Sequence, residues 1–252
     1  MACPYPDSPG GTSFPGLSGA FTCYALDLVG LGDSTSSDKR DLASAGQAMV
    51  LEKAFSSLGI SSFALLGNDA GGWVARELAL LDPKRVTHLA LTNTEIPGHR
   101  PPWIPLLQTA ARLPFAAYLL RQILTSRLAR RSPIAFGGCF QNRDVIDGEF
   151  FDQFIQPLIS SRRRLSGALE FLRQMKFRRL DEFRRLHAKL TMPVAFFWGA
   201  ADPTFPEPTA RAMLSQFPNV AKFTSVPHRK VFYHEEQPET LAKLLMGFLK
   251  AP

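Results

Sequence analysis

Apolar residues along the chain fall into two rhythms. Short β-prone runs at residues 21–26, 62–67, 86–93 and 193–199, with a weaker one at 222–226, predict strands. Between and after them, apolar positions recur at helical spacing. Residues 45–58 carry Ala45, Met49, Ala54, Phe55 and Leu58 before Gly59, which predicts a helix with a glycine stop. Residues 71–81 predict a second helix, ended by Asp82-Pro83, and residues 238–250 a last one that buries Leu241, Leu244, Leu245, Phe248 and Leu249. Strand and helix alternate at both ends of the chain, which predicts an α/β fold: a mostly parallel sheet flanked by helices. From about 97 to 190 no strand pattern appears, and apolar helical stretches are broken by Pro101-Pro102, Pro105, Pro114, Pro133 and Gly137-Gly138. The expected organisation is a core from residues 1–96 and 191–252 with a helical cap inserted at 97–190. Residues 1–20, rich in Pro, Gly and Ser, read as irregular.

Composition narrows this only a little. The 252 residues are 45% hydrophobic, enough for one sizeable core. No apolar run is long enough to span a bilayer, and the N-terminus lacks the basic start and apolar stretch of a secretory signal, so a cytoplasmic protein is expected. Cys3, Cys23 and Cys139 are too few and too scattered for a disulfide framework or a zinc site. The net charge of +7 is concentrated between Arg162 and Arg185. Phe171, Leu172, Met175, Phe177, Leu180, Phe183 and Leu186 interleave there at helical spacing. The run therefore reads as a solvated helical face, and nucleic acid is not expected as a partner.

The candidate chemistry lies where the 62–67 strand meets the 71–81 helix. Gly67-Asn68-Asp69-Ala70-Gly71-Gly72 is a glycine-flanked turn. Such a turn holds its middle residue in a strained conformation and lifts its side chain to the helix N-terminus. Amides there, Ala70 N–H among them, can stabilise developing negative charge. A carboxylate in that place can attack a saturated carbon and form an ester, which suits an alkyl halide or an epoxide. The plainer alternative is that Asp69 simply caps the helix.

These residues, with Asp27 to Ser34, Trp198-Gly199-Ala200-Ala201-Asp202-Pro203 and His234-Glu235-Glu236-Gln237-Pro238-Glu239, resemble the α/β-hydrolase superfamily. With the aspartate they look like its haloalkane dehalogenase and epoxide hydrolase branch. The resemblance implies a small apolar substrate, no metal and no organic cofactor. It also implies an acid that orients a histidine base, and Glu95 and Asp202 both match a family position, Asp202 in the tighter context. Counting along the pattern puts Val231 where the base belongs; His228 and His234 lie near it in sequence. The N-terminal strands, with the His-Gly loop that follows one of them, are apparently missing, and Pro9 to Phe14 reads as a remnant of that loop. Dehalogenases carry a tryptophan where this chain has Ala70, and the cap tyrosine expected of an epoxide hydrolase has one match, Tyr118.

Overall fold

The computed structural model describes residues 16–35 and 41–250. The stretch Pro9 to Phe14 and Cys3 lie outside the described residues. Four parallel strands, β1 (Phe63–Asn68), β2 (Val86–Thr92), β3 (Val194–Gly199) and β4 (Val220–Val226), form one sheet in the order β1-β2-β3-β4. Helix α1 (Ser44–Ser57) packs on α2 (Ala70–Leu81), which crosses from β1 to β2. Gly59 ends α1 at φ +68°, the left-handed conformation that a helix stop requires. Helix α9 (Glu207–Met213) connects β3 to β4, and α10 (Tyr233–Glu236) and α11 (Pro238–Leu249) close the chain.

Strand β3 shows why the sheet is central. Val194, Phe196 and Trp198 face the larger core with Leu89, Leu91 and Phe217, while Ala195 and Phe197 face Leu241, Leu245 and Phe248 of α11. All five β3 side chains are fully buried. A parallel strand covered on both faces needs such a continuous apolar run, and each large side chain buried contributes about 2 kcal/mol.

The expected strand at 21–26 does not form. Residues 22–28 form no regular secondary structure, and they share with β1 the lining of a cavity of about 690 Å³, to which Phe21, Tyr24 and Leu26 contribute from one segment and Phe63, Leu65 and Leu66 from the other. Among the described residues no backbone hydrogen bond joins the two segments. A β-prone run becomes a strand only when a neighbour completes its ladder, and among the described residues none does so here. The segment is held instead at its end: the Gln47 side chain donates to Val29 O and accepts from Val29 N (3.0 and 2.8 Å).

Between β2 and β3 the regular structure of the described residues is all helical: α3 (Trp103–Ala110), α4 (Ala116–Thr125), α5 (Arg127–Arg130), α6 (Gln156–Ser160), α7 (Arg162–Gln174) and α8 (Phe177–Leu186), with short 3-10 and π turns between. Part of the arginine run is not a free solvated face, because it ties these helices to the rest. Arg163 donates to the carbonyls of Gly32 and Ser34, Arg164 pairs with Asp33, and Arg179 grips the buried Glu77 of α2 through two bonds of 2.7 and 2.9 Å. Arg178, Arg184 and Arg185 remain exposed.

Candidate functional site

The turn between β1 and α2 is sharp because two glycines let the strand and helix touch. A Cβ on Gly67 would stand 2.5 Å from Gly72 Cα, and one on Gly72 would stand 2.3 Å from Thr94 Oγ1. Asp69 sits between them at φ 48° and ψ −135°, a conformation L-residues rarely adopt. Three bonds hold it there. Its N–H donates to Asn93 O (2.9 Å), and its carbonyl accepts from Gly72 N and from Thr94 Oγ1, both at 2.8 Å. The Asp69 side chain makes no capping bond to the helix, so the turn is not an ordinary N-cap. The Ala70 amide, the first of the helix, favours the ionised Asp69 carboxyl.

Glu95 lies beside this turn. Its Oε2 lies 3.0 Å from Thr94 Oγ1, so it shares that hydroxyl's single proton with the Asp69 carbonyl. Burial first, and the Asp69 charge second, push the Glu95 carboxyl up to about 7. Burial likewise raises Asp69, against the pull of the Ala70 amide and of His234. Two carboxyls this close do not readily ionise together. Beneath them Arg76 is fully buried: it donates to Gly72 O, Thr94 Oγ1 and Glu95 O (3.0, 3.3 and 2.8 Å) and meets the His187 ring at 3.3 Å. Burial lowers Arg76 to about 10 and His187 to about 2, so the histidine is neutral and Arg76 keeps its charge.

Asp202 is buried at the end of the turn after β3. Its Oδ2 accepts from Asn93 Nδ2 and its Oδ1 from Thr204 N, both at 2.8 Å, and its bonds in the described residues include no histidine. Burial pushes it up to about 7 as well, with the Asp69 charge acting the same way. Cys139, from the helical segment between β2 and β3, lies within reach of the Asp69 and Asp202 charges. Burial, then those charges, raise its thiol, which keeps it protonated and unreactive.

The position counted for the base holds Val231, which is 2% exposed. Its carbonyl accepts from Asn68 Nδ2 at 2.9 Å, so this segment is pinned beside the residue that precedes Asp69. His228 is exposed at φ 57° in the turn after β4. His234 is buried; its Nε2 lies 3.3 Å from Glu235 Oε1, and it acts to lower the Asp69 carboxyl. Tyr118, on α4, is 65% exposed. The sequence reading overlooked Arg76, Asn68 and Asn93. An arginine among the apolar residues of a helix that buries this face is the one sign that was available. Among the described residues no group of three or more His, Cys, Asp or Glu side chains is placed to hold a metal ion.

The raised carboxyls give the fold an unusual pH dependence. Glu95 and Asp202 titrate near 7 when folded but near their ordinary lower values of 4.5 and 3.8 when unfolded. Between those limits the folded state binds more protons, so stability falls as pH rises and levels off above about 7. The melting temperature is therefore expected to be several degrees higher at pH 5.5 than at pH 8, both set points being about one unit inside or beyond the window. Glu95→Gln together with Asp202→Asn is expected to flatten that slope. A melting temperature that rises over the same interval contradicts the assignment.

The family model described as the alpha/beta hydrolase family matches residues 9–244. Among solved structures, the chain is similar to the epoxide hydrolase CorEH (TM-score 0.74, 20% identity, covering 93% of this chain and 83% of that one). It is also similar to a thermophilic esterase from Thermogutta terrifontis (0.69, 22%, 94% and 83%). A third is the 2-hydroxy-6-oxo-6-phenylhexa-2,4-dienoate hydrolase from Rhodococcus sp. strain RHA1 (0.75, 17%, 97% and 88%). At these identities the likeness shows the fold and does not choose among three reactions. Among curated proteins none matches the chain.

Proposed function

We propose, from the premise that this chain belongs to the alpha/beta hydrolase family, that it is a hydrolase whose Asp69 attacks a saturated carbon of a small apolar electrophile, an alkyl halide or an epoxide. The observation that carries this reading is the strained Asp69 backbone at the head of α2, with a side chain that makes no capping bond. Strain of this kind persists only where the surroundings enforce it, and here it stands a carboxylate at the head of α2 with no capping bond.

In the proposed reaction an Asp69 oxygen bonds to carbon as the carbon–halogen or carbon–oxygen bond breaks. The electron pair leaves with the halide or the ring oxygen. A ring oxygen takes its proton from Glu95, whose value near 7 keeps a neutral population at neutral pH. Water then attacks the ester carbonyl, Ala70 N–H supports the oxyanion, and the alcohol departs as the Asp69 carboxylate re-forms. With Val231 in the expected place of the base, ionised Glu95 receives the proton of that water. Glu95 stands outside the place where the family holds its base, so the ester breaks down slowly.

The test is intact mass after incubation with haloalkane and epoxide panels. A mass increase that maps to Asp69, and is absent from Asp69→Asn, is the expected result. The buried, pinned Val231 favours a second reading, a relative that binds its ligand without turning it over. That reading predicts no adduct from either panel but a rise in melting temperature with a bound apolar ligand.

A further inference from the structure

Helix α4 buries one apolar face and leaves a second, largely apolar stripe uncovered. Its Ala116, Ala117 and Leu120 pack with Ala111 and Leu169, and Leu124 enters the main core. The opposite face carries Phe115, Tyr118, Leu119, Gln122 and Ile123, spaced i, i+3, i+4, i+7 and i+8, so they form one stripe. Phe115 is 54% exposed, Tyr118 65%, Leu119 38% and Ile123 38%. Leu106 on α3 and Leu128 on α5 add exposures of 63% and 86%. Exposed apolar patches of this kind mark an interaction site.

Charge identifies the partner. Residues 96–143 contain seven arginines and no acidic residue. Arg127, Arg130 and Arg131 are neutralised by Asp147 and Asp144, and Arg100 by Asp181. Arg112, one turn before α4, and Arg121, on its flank, are exposed and make no ion pair among the described residues. Two unpaired arginines beside an apolar stripe that ends in an aromatic pair match the headgroups and outer acyl region of an anionic bilayer. A second copy fits less well. Stacking α4 on α4 about a two-fold axis brings the same arginines together, and the stretch has no acid to meet them.

We propose that the α4 face docks the protein on anionic lipid surfaces, with Phe115, Tyr118, Leu119 and Ile123 in the interface and Arg112 and Arg121 against the headgroups. The proposal does not depend on the chemistry at Asp69.

Sedimentation with vesicles tests it, using phosphatidylcholine alone or with a quarter phosphatidylglycerol. The full chain is expected to pellet with the anionic vesicles. Arg112→Gln with Arg121→Gln is expected to weaken that binding about 30-fold, since each arginine near such a surface contributes close to fivefold. Phe115→Ser, Tyr118→Ser and Leu119→Ser together are expected to abolish it while the melting temperature holds. Should that triple variant unfold, the arginine pair carries the same test. Four results overturn the proposal: no pelleting with anionic vesicles, pelleting that survives the triple change, equal loss from Arg178→Gln with Arg185→Gln on α8, or light scattering that shows a dimer dissolved by the triple change.

Discussion

Replacing Val231 with histidine is expected to speed breakdown of the Asp69 ester by about 100-fold, the lower end of what a positioned general base supplies. The geometry behind this is a pinned backbone. Asn68 Nδ2 holds the Val231 carbonyl at 2.9 Å, and Phe232 N donates to Cys139 O at 3.2 Å, so residue 231 stays beside the elbow whatever its side chain. A site 2% exposed also favours a neutral imidazole, the form that accepts a proton from water. The larger ring costs about 1–3 kcal/mol of packing, so Val231→Leu serves as the control for size. In burst kinetics the unaltered protein is expected to show one equivalent of product followed by a slow phase. In Val231→His the slow phase should accelerate while the burst rate holds. A folded Val231→His protein with an unchanged slow phase removes residue 231 from the reaction at Asp69.

The sequence carried some of this plainly and hid the rest for identifiable reasons. The elbow was legible because its glycines answer a local steric need: Gly67 and Gly72 touch five residues apart, and no other residue type allows it. The buried strands were legible because β3 is apolar at every position, as a strand covered on both faces must be. Residues 21–26 misled because a strand is completed by its neighbour, and no propensity reports whether a neighbour does so. The tuning of the carboxyls was equally hidden. Asp202 meets Asn93 across 109 positions of sequence, and Glu95 shares Thr94 with the elbow above a buried Arg76. An Asp or Glu at a family position does not by itself say whether it is ionised. The arginine run between 162 and 185 was visible, but its division into ties and free charges depends on which acids the fold brings opposite. Arg179 and Glu77 are 102 positions apart.

Gly67→Ala is expected to destabilise the protein by about 3 kcal/mol and to abolish labelling of Asp69, although it adds a single methyl group. The methyl would meet Gly72 Cα at 2.5 Å, Gly71 O at 2.7 Å and Gly72 N at 2.8 Å. All three are backbone atoms, so none can rotate aside, and α2 must lift away from β1. Lifting α2 carries Gly72 away from Thr94, which loosens the hydroxyl that fixes both the Asp69 carbonyl and Glu95 Oε2. The strained φ of Asp69 then relaxes toward ordinary helix, because its tethers are what enforce it. Gly247→Ala is the counterpart. It lies inside α11 with nothing within 4 Å of an added Cβ, so the same methyl should stabilise by up to about 1 kcal/mol through helix propensity. Urea unfolding of the two variants reads both signs in one experiment. If Gly67→Ala keeps full stability and still labels at Asp69, the tight contact between strand and helix is not what holds the carboxylate in place.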